Sequence, residues 1–143
     1  YKGMDFVSSY ADGVIGAALE LAGSEEFYEL REKTIGIVLK LAGDKKLVHV
    51  FEMYDFFEKN KAGIDVILDI MILLYRDMMV YKGVEKENIL INSDKKDIIL
   101  SNVPKFTVHK LAQNIEEIEM ARRHIKQNAN FQLSVEVMLM KLL

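Results

Sequence analysis

The stretch Asn128-Ala129-Asn130-Phe131-Gln132-Leu133-Ser134-Val135-Glu136-Val137-Met138-Leu139-Met140-Lys141-Leu142-Leu143 ends the chain and decides its fold class. From Phe131 onward, polar residues are too few to clothe half the circumference of a helix. A helix apolar nearly all round must be buried by its own domain or by another chain. Asn128 can end the preceding helix, because Asn tolerates the left-handed conformation of a C-terminal cap. Asn130 can open the next one through its side-chain oxygen. Upstream, Val108, Leu111, Ile115, Ile118 and Ile125 share one helical face, with Arg122 interrupting the stripe. Thr107 is the natural N-cap. The spacing predicts two consecutive helices within an all-α helical bundle.

Composition agrees. Hydrophobic residues make up 50% of the 143 and charged residues 29%, which excludes a disordered chain and allows a real core. A net charge of −3 gives the whole molecule no long-range attraction for nucleic acid. With no cysteine there are no disulfides, thiolate metal sites or cysteine nucleophiles, and a cytoplasmic setting is expected. The run Ile64–Tyr75 is interrupted by Asp65 and Asp69, with Arg76 following, and is too short and too charged to span a bilayer. Tyr1-Lys2-Gly3-Met4 resembles no signal peptide, and the start reads as a cut within a longer protein.

Taken in order, Asp5 to Tyr10 and Val14 to Ala22 read as short helices, and Gly23-Ser24 as the one plausible boundary. Ser24 can cap a third helix, with Glu25 and Glu26 in its first turn where the dipole favours acids. That helix runs to Gly43, with Gly36 inside it as a weak point or a close-packing point. A fourth spans Lys45 to Lys59. The fifth, Ala62 to Tyr81 and ended by Gly83, is the expected centre of the core, with Asp65, Asp69 and Arg76 as its wet stripe. Glu85 to Val103 reads as a mobile loop and a short helix, with a β-hairpin as the alternative.

Residues able to do chemistry do not assemble into a site. Gly13-Val14-Ile15-Gly16 precedes a helix, but no Gly-Lys-Ser/Thr follows to complete a phosphate loop. His49, His109 and His124 are scattered, so no metal is expected. Glu116, Glu117 and Glu119 fit a solvated helix face. Ser8, Ser9, Ser101 and Ser134 lack a nucleophile elbow. Arg122-Arg123-His124 with Lys126 sits where cations complement a helix C-terminus, and contact with a partner is the alternative role. A peptide-gripping adaptor or a cofactor-binding bundle is compatible with these residues.

A resemblance narrows the choice. The pieces Phe6-Val7-Ser8-Ser9-Tyr10-Ala11-Asp12-Gly13-Val14-Ile15-Gly16-Ala17-Ala18-Leu19, Asp69-Ile70-Met71-Ile72-Leu73-Leu74-Tyr75-Arg76-Asp77 and Asn128-Ala129-Asn130-Phe131-Gln132-Leu133, in that order and spacing, resemble the C-terminal part of the delta-prime subunits of bacterial DNA polymerase III, clamp-loader components. The resemblance implies that residues 1–23 end an AAA+ lid and residues 24–143 form a helical collar for oligomerisation. Gly16 matches the position of a sensor arginine, which implies a subunit without ATPase activity and a fragment that is not an enzyme. It further implies a bacterial cytoplasmic protein whose partners are the delta and tau/gamma subunits. No cofactor, small-molecule ligand, membrane or DNA contact is expected. Arg122, Arg123, Phe131, Glu136 and Met140 are the expected interface residues.

Overall fold

The computed structural model describes residues 25–84 and 89–143, and these form six α-helices and short 3₁₀ turns with no strand among them. The chain is therefore an all-α bundle. The readings for residues 1–24, including the Gly13–Gly16 run and the lid segment, lie outside the described residues. In order come α1 (Glu25–Gly43), α2 (Val48–Lys59), α3 (Ile64–Val84), α4 (Lys96–Asn102), α5 (Val108–Lys126) and α6 (Phe131–Leu142). Helix α3 packs against α1, α4 and α5; α6 packs against α5 and α2.

The central role expected of the Ile64–Tyr81 region is observed. Val66, Ile67, Leu68, Ile70, Met71, Leu74, Tyr75 and Met78 of α3 are all buried. Such a helix is apolar over more of its surface than one neighbour can cover, so it lies between several. Its end differs from expectation: Gly83 lies inside the helix, which continues to Val84. Helix α2 starts at Val48 rather than Lys45, after a connection through residues 44–47.

The two wet features of the sequence turn out to be one. Arg122, the break in the α5 stripe, faces Asp65 and Asp69, the breaks in α3. Its guanidinium donates to Asp65 Oδ1 at 3.0 Å and also to Asp69 Oδ1. Burial pushes the Asp69 carboxyl above its ordinary range, while the Arg122 charge beside it pulls the other way. The α5 face is completed by Leu111, Asn114, Ile118 and Ala121. Asn114 lies beside the buried Tyr75 phenol, whose pKa burial pushes far up.

Of the Glu85–Val103 stretch, residues 85–88 lie outside the described residues, the expected short helix is α4, no strand forms among residues 89–103, and residues 89–95 are held by a buried polar knot. Asp77 of α3, fully buried, accepts hydrogen bonds from the Ile91 amide at 2.8 Å and from the Asn92 amide and side chain at 2.7 Å each. Arg31 of α1, also fully buried, donates to both carboxylate oxygens of Asp94 at 2.8 Å and to Asn92 Oδ1 at 2.9 Å. Lys95 adds an ion pair to Glu32 at 2.6 Å. Charged groups are kept in a protein interior only when donors and acceptors surround them in this way. The connector is thereby fastened to α1 and α3.

Candidate interaction surface

The α5–α6 corner is built as the sequence implies. Thr107 caps α5 by accepting from the Lys110 amide at 3.0 Å. Asn128 adopts φ 60° and turns the chain after α5. Asn130 caps α6 by accepting from the Leu133 amide at 2.8 Å. These local signals fix how α6 leaves the corner, and tertiary packing fixes which face it buries.

Helix α6 buries Ser134, Val135, Met138, Leu139 and Leu142. A second apolar row, Leu133, Val137 and Met140, stays at the surface at helical spacing. Leu133 is 61% exposed and Met140 37%, with Val137 half-buried. Met120 of α5, 37% exposed, joins Val137 on the groove between the two helices. Lys141 and Glu117 bridge that groove at 3.4 Å. The result is an open apolar strip with charged edges, the usual anatomy of a protein contact face.

The residues expected at an interface divide. Arg123, beside the corner, and Met140, at the far end of the α6 strip, are both exposed. Arg122 is turned inward, 13% exposed and held by Asp65 and Asp69, so it serves the α3–α5 contact. Phe131 is half-buried, its ring 6.2 Å from that of Tyr54 and 4.8 Å from the Lys61 ammonium above it. Glu136 is half-buried and accepts from Gln132 Nε2 at 3.3 Å. Leu133 was missed by reading α6 as uniformly apolar. The offset rows Ser134–Met138 and Leu133–Val137 were the available signal.

Several of the remaining candidates have structural partners. Ser134 Oγ donates to the Asn130 carbonyl and Ser101 Oγ to the Ile98 carbonyl. His49 lies between Asp44, at 2.8 Å, and Glu52, at 3.2 Å. Of the acidic run, Glu117 pairs with Lys141 and Glu119 approaches Arg122 at 3.9 Å, so only Glu116 is fully solvated. Among the described residues no group of His, Asp and Glu stands close enough together to hold a metal ion. The groove between α1 and α2, floored by Ile37, Met53 and Phe56, is open to solvent, and Lys40 and Glu52 on its edge form an exposed ion pair at 3.8 Å.

The family model for the C-terminal domain of the DNA polymerase III delta subunit matches residues 25–143. The chain belongs to that family. No curated protein and no solved structure matches it. The match to the delta C-terminal family takes in every described helix, including the α5–α6 corner and the knot around Asp77. None of the helices among the described residues is long and apolar enough to cross a membrane.

Proposed function

We propose that this domain is an assembly module of a clamp loader, a collar that helps hold the ring of subunits which loads the sliding clamp during DNA replication. The observation that carries the reading is the exposed apolar row Leu133–Val137–Met140 on a helix whose opposite face is already committed to the core. Membership in the delta C-terminal family supports it. The finer reading is delta-prime-like, drawn from the likeness of the three quoted stretches to that subunit, with Gly16 at the sensor-arginine position. On this reading the domain has no enzymatic activity, residues 1–23 end the lid, and the partners are the delta and tau/gamma subunits in a bacterial cytoplasm. The family match begins at residue 25, next to the Gly23-Ser24 boundary, which supports that division.

The contacts here are apolar with a rim cation, so affinity rests on a few central side chains. Pull-down and sedimentation with delta and tau/gamma collar fragments test it. The unmodified chain should join a complex. Leu133→Gln with Met140→Gln should release it while the helical circular dichroism is kept, and Arg123→Glu should weaken it less. Failure of the folded, unmodified chain to join any such complex rejects the proposal.

A further inference from the structure

The other end of the bundle, where α1 and α6 finish and α2 and α5 begin, gathers Lys45, Lys105 and Lys110, with Asp44, bound to His49, and Glu117, bound to Lys141, as the carboxylates beside them. Lys105 Nζ lies 3.9 Å from where a Cβ on Gly43 would stand, which brings it beside the residue 44–47 connection holding Lys45. Lys110 reaches across to donate to the Lys141 carbonyl at 2.8 Å, at the C-terminus of α6. Burial and the neighbouring Lys45 ammonium lower the proton affinity of Lys110, with the Glu117 carboxylate acting in the opposite sense. Elsewhere lysines find carboxylates: Lys40 with Glu52, Lys59 with Asp55, Lys95 with Glu32 and Lys141 with Glu117. Among the described residues Lys45, Lys105 and Lys110 form no such ion pair. The first turn of α5 contains no acid to offset them, and the helix N-termini of α2 and α5 are matched there by the C-termini of α1 and α6, so the lysines set the sign of the local charge. In a chain of net charge −3 this is a local field of the opposite sign.

Aliphatic side chains are interleaved with these cations. Leu47 is 50% exposed, Val48 55% and Val108 45%. A surface that offers both ammonium groups and aliphatic area complements a partner carrying carboxylates beside branched apolar residues. Aliphatic side chains gain little from a phosphodiester backbone, and no arginine stands here to fork onto phosphate. We propose that this end of the bundle docks an acidic amphipathic segment of another protein, with its carboxylates on Lys45, Lys105 and Lys110 and its apolar row on Leu47, Val48 and Val108. The inference stands apart from the collar reading, because Lys45, Leu47, Val48, Lys105 and Val108 are not part of the Leu133–Val137–Met140 row.

Fluorescence anisotropy on the whole chain tests it. The probe is a fluorescein-labelled synthetic helix with Leu and Glu at i, i+4 spacing, and the control replaces every Glu with Gln. The acidic peptide should bind and the Gln peptide should not, with affinity falling as salt rises. Lys45→Glu with Lys105→Glu should weaken binding by roughly tenfold or more, as loss of cross-interface charge pairs does, with an unchanged melting temperature. Leu47→Ser with Val48→Ser should weaken it as well. No binding of the acidic peptide overturns the proposal, as does binding that ignores these substitutions. Tighter binding of oligo-dT or of phosphatidylserine vesicles, lost with the same lysines, also overturns it in favour of a nucleic-acid or membrane surface.

Discussion

Arg122 shows how a single side chain changes meaning between sequence and structure. On the α5 helical wheel it is a flaw in an apolar stripe; in space it closes the gap left by Asp65 and Asp69. Removing one member of a mostly buried ion cluster leaves charges without partners, so Arg122→Ala should lower unfolding free energy by about 3 kcal/mol in a denaturant titration. Asp69 adds a pH signature. Its folded-state pKa lies above the ordinary 3.8, raised chiefly by burial. Above 3.8 the folded state holds this proton more tightly than the unfolded one, so this group's contribution to stability falls as pH rises. Asp69→Asn removes the dependence. The difference in denaturation midpoint between wild type and variant should therefore shift in the variant's favour as pH rises above 3.8. Gly36 gives a prediction of opposite sign. A Cβ there meets nothing within 4 Å, and the residue is mid-helix. Gly36→Ala should stabilise the domain by about 0.5–1 kcal/mol, read as a raised melting temperature.

At the level of elements, α3 carries the core and α6 divides its loyalties. Ile70 is 1% exposed and Leu74 likewise, whereas Leu73, one position along, is only half-buried. Ile70→Ala and Leu74→Ala should each cost about 2–5 kcal/mol in equilibrium unfolding, through lost burial and the cavity left behind. Leu73→Ala should cost less than either. Equal losses at all these positions would contradict the packing of α3 between α1 and α5. Helix α6 holds its inner row in the core and presents its outer row, so Leu133→Gln should leave stability within about 0.5 kcal/mol while affecting assembly.

The whole molecule is tied together where helix packing alone would leave it loose. The knot of Arg31, Asp77, Asn92 and Asp94 fastens the connector to α1 and α3, and α3 in turn packs on α5. No helix of the described bundle can leave without exposing the core of another, so unfolding should be a single cooperative transition. Far-ultraviolet circular dichroism and tyrosine absorbance, the latter reporting on the buried Tyr75 against Phe106 at 5.9 Å, should trace coincident curves. Asp77→Ala should separate them, because the connector would then loosen before the core.

Periodicity and capping alone determined the all-α class, the central place of α3 and the corner at Asn128 and Asn130. These follow from interactions within a few residues, where one chain segment holds both partners. The partners of Arg122, the burial of Arg31 and Asp77, and the order of the connector depend on residues tens of positions apart. A stripe on a helical wheel shows that a face is different without showing what will cover it. The same holds for the surface. The composition of α6 shows surplus apolar area, but only its packing against α5 and α2 decides that Val135, Met138 and Leu139 go inside while Leu133 and Met140 remain outside. Likewise Lys45 is about sixty residues from Lys105 and Lys110, and the three lysines come together only because helix ends converge.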